Sequence, residues 1–124
     1  MISTARVYVF NIKYENKEWL SIYDCDRLSG QIAQLIKTGI PQFKFKNLQI
    51  FNVFKNETCS NEIHFNKIKY DDKRILSKND VMKLRDDLRK HLNRITQLTY
   101  DQILVINDEF SERISPAYLG ELNV

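Results

Sequence analysis

The sequence predicts an α+β fold: a mainly antiparallel sheet with two helices packed on one face, in the order strand, helix, hairpin, helix, strand pair. Three observations carry this. The chain has 124 residues, the length of one domain built around one core. It contains three glycines and two prolines, too few for the many tight turns of a pure β-sandwich. Two stretches with apolar residues at helical spacing alternate with runs rich in β-branched and aromatic residues. Hydrophobic residues at 43% and charged residues at 28% exclude a mainly disordered, collagen-like or coiled-coil chain. A single domain over 1–108 is expected, followed by a surface tail over 109–124, where no period is visible.

Each element has its own local reason. RVYVFNIKY, from Arg6 to Tyr14, is apolar on both faces and reads as a central strand. Glu15-Asn16 reads as a turn and KEWLSIY (17–23) as a second, shorter strand. Asp24 or Asp26 then caps a helix whose Leu28, Ile32, Leu35 and Ile36 share one face. Gly39, followed by Ile40 and Pro41, is expected to end it with a left-handed cap. NLQIFNVFK (47–55) and EIHFNKIKY (62–70) form a hairpin across polar NETCSN. Ser77-x-x-Asp80 is a variant capping box that opens a second helix, with Val81, Leu84, Leu88, Leu92 and Ile95 on one stripe. RITQL (94–98) is either strand or the end of that helix, and QILVIND closes the sheet. The chain reads as free of internal repeats and low-complexity tracts.

The longest aliphatic run is Ile103-Leu104-Val105-Ile106, far short of the roughly 20 residues of a membrane span. The N-terminus reaches Asn11 and Lys13 without an apolar signal core, which points to a cytoplasmic or nuclear protein. Cys25 and Cys59 are far apart and lack C-x-x-C spacing, so both are expected to be reduced thiols. Asn56-Glu57-Thr58 fits the N-glycosylation pattern but also a polar hairpin turn.

The net charge of +3 is unevenly spread. Residues 1–42 carry +1, residues 43–94 carry +6 and residues 95–124 carry −4. A basic central block suits a nucleic acid or an acidic protein partner. Within it, Lys67 and Lys69 precede the turn, Lys73-Arg74 lead into the second helix, and Lys78, Arg85 and Arg89 fall within a narrow arc of that helix. These seven side chains are the candidate RNA-phosphate contacts, because ammonium groups and guanidinium forks match phosphate oxygens. Lys83, Lys90 and Arg94 form a second ridge. Phe43, Phe45, Phe51, Phe54 and Phe65 alternate with Lys44, Lys46 and Lys55, which suits either base stacking or a core.

Catalytic groupings are not visible. His64 and His91 lack ligand partners at metal spacing, so neither metal nor cofactor is expected. Adjacent Asp86 and Asp87 point about 100° apart on a helix and cannot converge on one proton, while Asp87 can pair with His91 at i+4. Ser29 and Ser60 have no partnered base.

Through IHFNKIKYDDKRIL (63–76) and the helix after it, the chain resembles the eukaryotic ribosomal protein family numbered twenty-two in the large subunit. The matching points are Ile36-Lys37, Asn47-Leu48, Lys73-Arg74, Leu76 and Tyr100 before QILVIND, across roughly residues 6–108. The match is one of element order more than of literal sequence. Ile75 and Ser77 replace the family's aromatics, Asp80, Asp86 and Asp87 dilute its basic helix, and SERISPAYLGELNV replaces a nearly pure acidic tail. The resemblance implies a non-enzymatic structural constituent of the large ribosomal subunit in the cytoplasm. Ribosomal RNA and neighbouring ribosomal proteins would be its partners, with no membrane and no small-molecule substrate.

A second resemblance is to the ubiquitin-like β-grasp. An opening hairpin, a helix near Asp26, Gly39-Ile40-Pro41 with LQIF (48–51), and DDKRILSKNDV (71–81) carry it. Asn123-Val124 stands where conjugation needs Gly-Gly, so this alternative implies a non-conjugated module for protein interaction. Other small interaction proteins, including viral or phage inhibitors, belong to the same alternative.

Overall fold

The computed structural model describes residues 5–55 and 57–107. The expected tail over 109–124 and Asn56 of the glycosylation-type tripeptide lie outside the described residues. The elements are β1 (Ala5–Phe10), β2 (Lys13–Tyr14), α1 (Ile22–Gly39), β3 (Phe43–Lys44), β4 (Asn47–Lys55), β5 (Thr58–Tyr70), α2 (Lys78–Leu92), β6 (Leu98–Thr99) and β7 (Gln102–Asn107). The long strands lie in the order β4-β5-β1-β7, and every pairing is antiparallel. β3 joins the far end of β5, and β2 pairs with β6. Two crossovers, β1-α1-β4 and β5-α2-β7, each skip one strand, which is the split βαβ arrangement of ferredoxin-like domains.

Alternation along the strands decides which face meets the helices. Val7 and Val9 of β1, Ile63 and Phe65 of β5, and Ile103 and Val105 of β7 are buried in one cluster with α1 and α2. Leu28, Ile32 and Ile36 answer from α1, and Leu84, Leu88 and Leu92 from α2, each at a spacing of four. Each such side chain contributes on the order of 1.5–3 kcal/mol through removal from water. Both helices therefore cover one face, and the opposite face has no layer over it among the described residues.

The α+β architecture matches the sequence reading, and several local expectations are corrected. KEWLSIY does not form a strand: β2 ends at Tyr14, and Glu15 and Asn16 turn the chain at φ of 54° and 61°. β2 pairs with β6 and not with β1, so no opening hairpin forms. The cap of α1 is Ser21, whose hydroxyl accepts from the Asp24 backbone N–H at 3.1 Å, while the Asp24 carboxylate accepts from the Ser21 N–H at 3.1 Å. Asp24 is thus the third helical residue, closing a capping box with Ser21, rather than the cap itself. Asn52 clamps the preceding loop to β4, accepting from Leu20 N–H at 3.0 Å and donating to its carbonyl at 2.8 Å.

Gly39 does not take a left-handed cap either. The helix closes through Ile40 N–H donating to the Ile36 carbonyl at 2.8 Å. What requires glycine is space, because a Cβ at position 39 would collide with the His91 ring, 2.7 Å from Nε2. The β4-β5 hairpin is tighter than NETCSN suggested: pairing runs out to Lys55 and Thr58. α2 is capped by the expected box of Ser77 and Asp80. RITQL is neither helix nor a full strand; α2 ends at Leu92, and only Leu98 and Thr99 pair, as β6.

The reading without repeats is also overturned. Ile12-Lys13-Tyr14-x-x-Lys17-x-x-Leu20-Ser21-x-x-Asp24 recurs 56 positions later as Ile68-Lys69-Tyr70-x-x-Lys73-x-x-Leu76-Ser77-x-x-Asp80. The two copies share backbone detail. Asn11 and Lys67 both have φ of 53°, and Asp71 and Asp72 repeat the left-handed turn of Glu15 and Asn16 at 52° and 61°. Tyr14 bridges Lys17 as Tyr70 bridges Lys73. The copies exchange partners: β2 of the first pairs with β6 of the second, and the end of β5 pairs with β3 of the first. Two interlocked βαβ halves thus face each other across the β1-β5 pair.

Candidate nucleic-acid interface

On the uncovered face, β1 presents Arg6, Tyr8 and Phe10, β5 presents Glu62 and His64, and β4 presents Gln49 and Phe51. These positions alternate with the core residues. Their rings touch in a row across three strands. The Phe51 and His64 centroids are 4.8 Å apart, His64 and Tyr8 4.5 Å, and Tyr8 and Phe10 6.1 Å. Tyr8 is buried at the centre of the row and receives a hydrogen bond from Arg6 at 3.3 Å on its hydroxyl. Phe51 is 39% exposed, and His64 and Phe10 are half-buried. His64 Nε2 lies 2.9 Å from Glu62 Oε1, which fixes the ring on the sheet.

One end of this face is basic. Lys44 and Lys69 stand opposite each other in the β3-β5 pair, on the side away from buried Phe43 and Tyr70. Lys67 occupies the bulge where β5 slips against β1 between Ala5 and Val7. Lys46 donates its backbone N–H to the carbonyl of Asn66, the neighbour of Lys67, at 3.2 Å. Among the described residues none of these four ammonium groups is ion-paired.

The repeat makes the asymmetry plain. At the equivalent end, Asn11 replaces Lys67, Thr99 replaces Lys44 and Asp101 replaces Lys46. Asn11 donates to Asp101 at 2.8 Å, and Lys13, the counterpart of Lys69, lies 3.7 Å from Glu18. One fold therefore carries a basic end and a neutralised end.

The seven candidate phosphate contacts do not form one continuous surface. Lys67 and Lys69 belong to the basic end of the sheet. Lys73 is bound to Asp80, with Nζ 2.7 and 2.8 Å from its two carboxylate oxygens, and this contact serves the helix cap. The Lys73 ammonium beside Asp80 holds that carboxyl down at about 2, from an ordinary value of 3.8. Arg74 is exposed in the loop before the cap. Lys78 and Arg89 are exposed and Arg85 half-buried on α2, across the sheet from the open face. Phe65 meets Phe43 and Phe45 edge-on, with Phe43 and Phe45 tilted against each other, in and against the core. Lys44, Lys46, Tyr8 and Phe10 complete the surface; only strand alternation, joined to the unforeseen β3-β5 register, would have grouped them.

Other reactive groups are occupied differently. Asp87 does not pair with the His91 side chain: its carboxylate accepts from Tyr70 Oη at 2.8 Å, while His91 Nδ1 meets the Asp87 carbonyl at 2.8 Å. Burial, aided by the Asp87 contact, pushes the Tyr70 phenol up to about 12. Burial likewise raises the Cys25 and Cys59 thiols, which favours the unreactive protonated form. Cys59 lines an open cleft of about 250 Å³ with Asn11, Lys13, Glu18 and Asp101. Among the described residues no three His, Cys, Asp or Glu side chains group to hold a metal ion, and no helix is long and apolar enough to cross a membrane. No protein-family model, curated protein or solved structure matches the chain.

Proposed function

We propose that this protein binds RNA through the basic end of its open sheet face and acts as a non-catalytic structural constituent of the large ribosomal subunit in the cytoplasm. The observation that carries this reading is the gathering of Lys44, Lys46, Lys67 and Lys69 from β3, β5 and the segment between β3 and β4, with no carboxylate partner among the described residues. Such ammonium groups release counterions when they meet phosphates, which drives binding. The ribosomal assignment rests on the resemblance of residues 63–76 and the element order around them. Sedimentation of cell lysate through a sucrose gradient tests it. Co-migration with large subunits through moderate salt is expected; a pool confined to the top of the gradient would refute the ribosomal assignment.

A second reading, a module for protein interaction, is favoured by a different surface. Trp19, Ile22 and Tyr23 crowd the start of α1 at 55%, 82% and 70% exposure. Exposed apolar residues this close in sequence mark interaction sites when they form one patch. On this reading the gradient shows no large-subunit peak, and purified protein has no affinity for RNA.

A further inference from the structure

We infer that the RNA taken by the open sheet face is single-stranded, with its bases stacked on the Phe51, His64 and Phe10 rings and its phosphates held by the lysines at the basic end. This rests on the RNA-binding reading above and names the form of RNA that the same surface fits. The argument begins with what an uncovered sheet face ordinarily carries. An antiparallel sheet exposed on one side alternates apolar residues inward with polar residues outward. Here Phe51, His64, Tyr8 and Phe10 occupy outward positions of adjacent strands, with neighbouring ring centres 4.5–6.1 Å apart.

None of these rings joins the core cluster under the helices, so the core does not account for them. Aromatic side chains on a sheet provide flat platforms on which unpaired bases stack, and every base has a face to offer. Paired bases in a duplex are already stacked and present only edges and backbone, so the rings have nothing to hold there. The charge layout fits the same ligand. A chain of nucleotides entering over Lys44, Lys46, Lys67 and Lys69 leaves its phosphates on ammonium groups and reaches the rings within the same face. Glu62, the carboxylate on this face, is engaged with His64 at 2.9 Å. At the far end Asn11 donates to Asp101 and Lys13 lies 3.7 Å from Glu18, so the phosphate contacts fall at the basic end of the face.

The test is fluorescence anisotropy with a labelled eight-nucleotide RNA that cannot self-pair and with a labelled twelve-base-pair RNA duplex. The wild-type chain is compared with Phe51→Leu and Phe10→Leu, which keep an apolar side chain on the strand but remove the stacking face. Circular dichroism of each variant verifies the fold. The single strand is expected to bind at least tenfold more tightly than the duplex, and each variant to lose about 5- to 150-fold for the single strand, the range of one lost base stack. Neither variant should change the dependence on salt. Equal binding of both RNAs with unchanged affinity in the variants overturns the inference while the RNA-binding reading stands. Failure to bind either RNA overturns that reading itself, and the inference with it.

Discussion

Lys73 Nζ reaches 2.7 Å from Asp80 Oδ2 and ties the left-handed turn after β5 to the cap of α2, as Lys17 ties the turn after β2 to Asp24 in α1. The ion pair joins two backbone devices seven positions apart in sequence: a turn whose central residues have positive φ, and a capping box that satisfies helix N–H groups. The lysine is therefore a structural partner of the cap and not a surplus charge awaiting RNA.

Acid stability follows from that contact. The fold holds the Asp80 carboxyl at about 2 and lowers that of Asp24 as well, in each case chiefly through the lysine. A carboxyl depressed on folding stabilises the native state fully above its unfolded value near 3.8, and that contribution is lost as pH falls toward 2. Lys73→Met should return Asp80 toward its ordinary value and raise the midpoint of acid unfolding, followed by circular dichroism. Lys83→Met, at an exposed position on α2, should leave the midpoint in place. Equal midpoints for the two variants would remove the role assigned to Lys73.

The packing of α1 against α2 makes a second prediction at Gly39. Alanine there would gain up to about 1 kcal/mol of helix propensity in open space. Its Cβ instead meets the His91 ring, which is held by Nδ1 against the Asp87 carbonyl at 2.8 Å. Displacing a held ring costs about 1–3 kcal/mol. Gly39→Ala should thus lower the urea midpoint, and adding His91→Ala should restore part of the loss; additive losses would exclude the clash.

The two turns make a third prediction. Both central residues of Tyr14–Lys17 and Tyr70–Lys73 have positive φ, the geometry of a type I′ turn, in which glycine is favoured at the second central position. Asn16→Gly and Asp72→Gly should each stabilise the protein by about 0.5–1 kcal/mol by relieving the left-handed strain of a residue with a side chain. Thermal unfolding of the single and double variants measures it, with near-additive gains expected because the turns belong to separate halves.

What was legible in the sequence was local. Ser77-x-x-Asp80 announces its helix because the capping box is built from neighbours, and the stripe of Leu84, Leu88 and Leu92 needs only the helical period. The same box at Ser21 and Asp24 is masked by Trp19, Ile22 and Tyr23, whose strand preference would hold only on a packed pleated surface. β2, β3 and β6 are two-residue strands defined by partners from the other half of the chain, so no local pattern specifies them. The basic end is hidden for the same reason: Lys44 and Lys69 are 25 positions apart and meet only through register. The repeat was visible, but as a spaced set of identities rather than a continuous match.

The last prediction separates the two basic surfaces that the sequence had merged. If phosphates lie on the open face, Lys44→Gln with Lys69→Gln should weaken binding to ribosomal RNA and flatten the slope of log affinity against log salt by about 0.7–0.9 for each lysine lost. Both side chains point away from the core and neither is ion-paired among the described residues, so exchanging them should leave the fold nearly unchanged. Lys78→Gln with Arg89→Gln, on the other side of the sheet, should then alter neither affinity nor slope. Filter binding at four salt concentrations gives all three slopes. If the helix pair lowers the slope and the sheet pair does not, the contact belongs to α2, and Lys44 and Lys69 serve only as solvated charge.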